Sequence, residues 1–148
     1  MFKRILVPLD GSHLAESALP AAKQMVRENG GELELLRVAT AATQVYSEIP
    51  YNYAAFIEHE RKECKDYLDV LSAQLNAEGI KTKPLLADGT VAEAILDYAD
   101  STKVDLIAMS THGRTGPQRW LYGSVTEKIL RTANTCSMLI VQIGRAHV

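Results

Sequence analysis

The stretch from Met109 to Thr126 constrains this chain more than any other. An apolar run, Val104 to Met109, enters it, and a helical pattern, Val125 to Ala133, leaves it. Gly113 lies just past the run, and Gly123-Ser124 stands where the helix begins. A strand that ends in a glycine turn, with a second glycine at a helix N-terminus, offers uncovered amides and the positive end of a helix dipole to an anion. Neither G-x-x-x-x-G-K-[ST] nor G-x-G-x-x-G is present, so phosphate binding here would draw on the helix terminus rather than on either familiar loop.

The rest of the chain repeats the strand-then-helix alternation. Lys3 to Leu9 reads as a strand buried on both faces, because Ile5, Leu6 and Val7 are apolar without alternation. It stops at the turn residues from Pro8 to Ser12, and Ser12 is a suitable N-cap for a helix over His13 to Asn29. Pro20 would kink that helix, and Gly30-Gly31 ends it. Glu32 to Val38 is the second strand; Glu32 and Glu34 alternate with Leu33 and Leu35, which predicts a start solvated on one side.

The connection from Ala39 to Tyr53 is longer than a compact domain needs. Its Tyr46, Ile49, Pro50, Tyr51 and Tyr53 could form a lid or contact a partner, but a surface loop that packs a few aromatics is the favoured reading. Ala54 to Glu78 follows as an amphipathic helix with Ile57, Cys64, Tyr67, Leu68, Leu71 and Leu75 on its inner stripe. Ile80 to Leu86 is the third strand. Thr90 and Glu93 have capping-box spacing before a helix through Ala99, with Val91, Ala94, Ile95 and Tyr98 facing inward. Asp105 to Met109, a helix over Ser124 to Ala133 and a strand over Ser137 to Ile143 complete the series. Five strands alternating with helices predict a parallel sheet covered on both faces.

A chain of 148 residues has the size of one domain, placed here at residues 1–143. Gly144 to Val148 lacks periodicity and reads as a non-native or disordered tail. A net charge of −2 gives no electrostatic footprint for nucleic acid or an anionic membrane. No apolar run approaches the roughly 20 residues of a membrane span. Cys64 and Cys136 form neither a ligand-like pair nor a disulfide framework, which points to the cytoplasm. No Walker lysine and no activated nucleophile is legible, so no catalytic set is expected.

From Arg4 to about Val141 the chain resembles the universal stress protein family, whose nucleotide loop reads G-x2-G-x9-G-[ST]. The matching positions are Ser110, Gly113, Gly123 and Ser124, with serine in place of the first glycine. The flanking residues Thr111 to Gly116 and Gly123 to Lys128 are also similar to the family's. The resemblance implies a Rossmann-like fold of the adenine nucleotide alpha hydrolase type, a five-stranded sheet in the order 3-2-1-4-5. Strands 1 and 4 would then meet at the topological switch point, where open α/β sheets bind ligands.

It further implies a stress-response module that binds ATP, with Mg²⁺ as the accompanying ion, and signals by occupancy. The nucleotide site would comprise Pro8, Asp10, Val38, Met109, Ser110, His112, Gly113, Arg114, Gly123, Ser124 and Val125. Pro8, Val38 and Met109 would wall the adenine, and Ser124 and Arg114 would meet phosphate. Asp10 suits ribose hydroxyls or a metal, and equally an Asx turn before Gly11. Serine at 110 costs about 1–2 kcal/mol if the backbone there needs positive φ, and nothing if it does not. The alternative function is a dimeric stress module without nucleotide. In either case the resemblance implies a homodimer paired through the final strand, Met138 to Val141.

Overall fold

The computed structural model describes residues 2–40, 52–111, 123–133 and 136–142. The strands are β1 (Arg4–Leu9), β2 (Glu32–Ala39), β3 (Thr82–Asp88), β4 (Leu106–Ser110) and β5 (Ser137–Val141). The helices are α1 (His13–Glu16), α2 (Leu19–Asn29), α3 (Tyr53–Ala77), α4 (Val91–Thr102) and α5 (Ser124–Thr132). All pairings are parallel, as the strand–helix alternation predicts, and the order β3-β2-β1-β4-β5 is the one that the resemblance implies.

Two apolar layers hold the sheet. Ile5, Val7, Leu33 and Leu35 face one side and pack with Ala22 and Val26 of α2 and Leu68 and Leu75 of α3. Leu6, Leu36, Ile107 and Met109 face the other and pack with Ile95 of α4 and Ile129 of α5. Successive residues of a strand point to opposite faces, so an uninterrupted apolar run feeds both layers. Ile5, Leu6, Leu35 and Ile107 are fully buried, each contributing about 1.5–3 kcal/mol of transfer free energy.

Three local expectations are corrected. The helix predicted over His13 to Asn29 is two helices. Ser17 closes α1, its N–H and hydroxyl both directed at the Leu14 carbonyl, and Pro20 sits in the first turn of α2, where a missing N–H costs nothing. The capping box at Thr90 does not form, because the threonine side chain makes no cap hydrogen bond. The buried face of α4 is Ala92, Ile95 and Ala99, with Val91 and Tyr98 flanking it, so small alanines take the closest approach.

A further correction concerns Glu34, which is fully buried rather than solvated. Its carboxylate accepts Arg4 Nε at 2.8 Å and Arg4 Nη2 at 3.1 Å, and the Tyr98 hydroxyl donates to it as well. Arg4 also donates to the Thr102 carbonyl. The Glu34 hydrogen bonds hold the Arg4 guanidinium above its ordinary pKa, and burial followed by the same carboxylate pushes the Tyr98 phenol to about 12. A buried carboxylate is tolerable only with such partners.

The two rims of the sheet differ. β3 pairs only with β2 and carries Lys83 and Pro84, both exposed. β5 pairs only with β4 and reads Met138-Leu-Ile-Val141, each residue half-buried. Proline and lysine are residues that blunt a sheet edge, and β5 has neither.

Candidate functional site at the β1/β4 switch point

Adjacent parallel strands β1 and β4 send their chains to opposite faces of the sheet, which leaves a crevice beyond their carboxyl ends. At the end of β1, Asp10 Oδ1 accepts the Ser12 N–H at 2.9 Å and the Ser12 hydroxyl at 2.5 Å. Ser12 Oγ in turn accepts the Ala15 N–H at 3.2 Å and caps α1. Asp10 therefore does make the Asx turn, with Gly11 at φ +88° beside it.

At the end of β4, Ser110 is buried in extended backbone; among the described residues Lys103 alone departs to positive φ without being glycine. The serine that replaces the family's first glycine thus carries no left-handed strain. Its carbonyl accepts the Thr126 hydroxyl at 3.0 Å, which ties the strand end to the first turn of α5. Thr111 N–H donates to the Val141 carbonyl at 3.0 Å, and its own carbonyl accepts Gly123 N–H at 2.7 Å.

That last bond changes the part Gly123 can play. Its amide is committed to Thr111, and its φ of −69° is open to any residue. Glu127 N–H to the Gly123 carbonyl, at 2.9 Å, is the first bond inside α5, so the amides of Ser124, Val125 and Thr126 have no acceptor within the helix. With the dipole, those amides make the positive end of the site.

A cavity of about 280 Å³ opens over these strand ends. Pro8, Asp10, Val38, Met109, Ser110, Gly123, Ser124 and Val125, eight of the residues expected from sequence, all line it. His112, Gly113 and Arg114 lie outside the described residues, as do Tyr46, Ile49, Pro50 and Tyr51. Sequence reasoning missed Arg37, Thr40, Glu60, Cys64, Val91, Ile95 and Thr126 on the same wall. Arg37 carried a signal: a charged residue between Leu36 and Val38 in an apolar strand calls for an explanation. Glu60 and Cys64, spaced i, i+4 on α3, carried one that reads equally as ordinary amphipathicity.

Charge across the cavity is uneven. Asp10 and Glu60 bring carboxylates, Arg37 a guanidinium, and α5 its N-terminal amides. The Arg37 guanidinium lies over the Tyr67 ring, 5.0 Å from its centroid, and the Tyr67 hydroxyl donates to Glu16 at 2.6 Å. Burial first, and then the Glu16 hydrogen bond, raise the Tyr67 phenol well above its usual pKa. Among the described residues no cluster of three or more His, Cys, Asp or Glu is placed to hold a metal by itself.

Fold and crevice together define a doubly wound α/β protein with a ligand cavity at its switch point. Its relatives say which kind. The sequence profile of the Universal stress protein family matches residues 1–142, and the chain belongs to that family. It is 32% identical over 149 residues to universal stress protein YxiE of Bacillus subtilis, covering 96% of this chain and 100% of that one. The solved structure of MJ0577 from Methanocaldococcus jannaschii superposes with a TM-score of 0.85 at 28% identity, covering 99% of each chain. A universal stress protein solved in complex with cAMP shares the fold, with a TM-score of 0.69 at 21% identity over 94% of this chain and 96% of that one. No helix among the described residues is long and apolar enough to cross a membrane.

Proposed function

We propose that this chain is a regulatory protein of the universal stress type that binds ATP in the switch-point cavity and acts in stress response through occupancy. One observation carries this reading: eight residues from four separate segments, chosen from sequence, line a single cavity that ends on the N-terminus of α5. The adenine would lie against Pro8, Val38 and Met109, and the ribose near Asp10. The phosphates would run over Ser124 and Val125; His112, Gly113 and Arg114, expected from sequence to join them, lie outside the described residues. The solved relative in complex with cAMP lends support, since it is a member of the same fold that holds an adenine nucleotide. Mg²⁺ would accompany the phosphates, since that ion keeps phosphate and water ligands and needs only one or two carboxylates. Asp10 and Glu60 are the carboxylates on the described wall. We place this activity in the cytoplasm, on a single domain over residues 1–143; residues 144–148 lie outside the described set.

Equilibrium binding of ATP to the purified chain is the direct test, with mass spectrometry of nucleotide released on denaturation as its companion. No binding at millimolar ATP would end the proposal. Gly123→Val, which puts a branched side chain at the N-cap of α5, should abolish binding while the far-UV spectrum is retained. Turnover above a heat-killed control, lost in Asp10→Ala, would move the protein to the enzymes.

A second reading rests on β5, a half-buried apolar strand at the rim. Two copies paired antiparallel along Met138 to Val141 would give a two-fold homodimer that works through protein contacts, with or without nucleotide. Sedimentation at micromolar concentration tests it: a dimer is expected for the native chain and a monomer for Leu139→Lys. A native monomer would refute it.

A further inference from the structure

Arg37 stands apart from the other charges of the cavity. Among the described residues it takes part in none of the ion pairs. It lines the cavity on the α1/α3 side, near the carboxyl end of β2. Its guanidinium is held rather than loose. The Tyr67 ring lies beneath it at 5.0 Å, and a Cβ on Gly11 would stand 3.1 Å from Nη1, so the glycine leaves the room that the fork occupies. Tyr67 is fixed in turn by Glu16. A cation pre-positioned on an aromatic face, bordering a cavity and lacking a carboxylate, is suited to an anion delivered by a ligand.

Where that anion sits on the ligand follows from the neighbours. Gly11 is the next residue after Asp10, the side chain assigned above to the ribose, and Asp10 and Arg37 lie close enough that both act electrostatically on the Tyr67 phenol. The α5 amides, which would take the 5′-phosphates, belong to the opposite wall. In doubly wound folds an acidic residue near the strand ends reads a free ribose hydroxyl, whereas an arginine there accommodates a phosphate on it.

We propose that Arg37 forms a second anion subsite in the cavity, which recognises a phosphate monoester on the ribose of an adenine nucleotide. The preferred ligands are then adenosine phosphates that carry a 2′- or 3′-phosphate in addition to the 5′-phosphate. This rests on the nucleotide reading given above and names a narrower ligand class for the same site. The Arg37 charge offsets Asp10, whose Oδ1 is already engaged by Ser12.

Isothermal titration of the full chain with 5′-AMP, adenosine 2′,5′-bisphosphate and adenosine 3′,5′-bisphosphate tests the proposal. One bisphosphate should bind about tenfold more tightly than 5′-AMP, as one charge-assisted pair allows. In Arg37→Met that ratio should fall to near one, and Arg37→Lys should restore part of it by keeping the charge without the fork. Equal affinities for 5′-AMP and both bisphosphates in the native chain overturn the subsite, and need no variant that folds. A preference that persists in Arg37→Met overturns it too. Failure of ATP, 5′-AMP and both bisphosphates alike overturns the nucleotide reading and the subsite together, whereas 5′-AMP binding without preference removes the subsite alone.

Discussion

Replacing either partner of the buried Arg4–Glu34 pair should destabilise the protein, and the two costs should be unequal. Glu34 is 0% exposed in its side chain, whereas Arg4 is 36% exposed. Arg4→Met strands a carboxylate that cannot reach water and keeps only the Tyr98 hydroxyl. Breaking a buried pair in this way costs about 3–5 kcal/mol. Glu34→Leu strands a guanidinium that can turn to solvent and retains the Thr102 carbonyl. Its loss is that of charge-assisted hydrogen bonds, about 1–2 kcal/mol after the apolar gain of leucine. The double variant should recover much of the deficit, falling about 2–3 kcal/mol short of the sum of the single changes. Urea unfolding at pH 7, followed by far-UV circular dichroism, measures all three differences. For a domain of this size the arginine change corresponds to roughly 10 °C in Tm. Glu34→Leu costing as much as Arg4→Met, or strict additivity, would refute the account.

Two further outcomes follow from the same geometry. Gly31→Ala should cost about 2–3 kcal/mol, because a Cβ there would stand 2.0 Å from the Lys3 carbonyl oxygen, a backbone atom that also accepts Glu32 N–H; a thermal melt unchanged from the native one contradicts this. At high pH, Tyr98 has a folded pKa of about 12 against an unfolded value near 10, so its share of stability is complete below pH 10 and is lost as pH rises towards 12. Tyr67 shifts in the same direction. Tyr98→Phe should therefore flatten the fall in stability between pH 10 and 12, as read by urea midpoints across that range.

The sheet was legible because β1 and β4 carry unbroken apolar runs at its centre, and these have few other uses in a chain of this length. Where sequence reading slipped, tertiary partners decided. Glu34 alternates with leucines as a solvated residue would, and only Arg4, 30 positions earlier, and Tyr98, 64 later, make its burial tolerable. The third strand was expected over Ile80 to Leu86 and runs Thr82–Asp88. Ile80 is indeed core, but as part of the turn that closes α3, its N–H bonded to the Leu75 carbonyl. Pro20 was legible as a disturbance; whether a proline bends a helix or begins one depends on the backbone two residues before it.

For the candidate site, the strand ends and the glycine at α5 were visible because glycine and aspartate mark turns by themselves. The α3 wall was not, since Glu60 and Cys64 reach the cavity only through the packing of a helix whose pattern fixes its inner stripe but not what lies beyond the sheet's end. The commitment of the Gly123 amide to the Thr111 carbonyl was not legible, since it depends on how the end of β4 meets the start of α5.

The unlike rims of the sheet limit what the chain can become in concentrated solution. A monomer with one reactive end and one capped end couples once and then stops; polymerisation requires two. Lys83 and Pro84 place the stopper on β3. Should copies meet along β5, the sheet would double to ten strands, and both of its outer margins would be stoppered. Growth into a fibre is thereby forestalled by a lysine and a proline on the margin furthest from the contact.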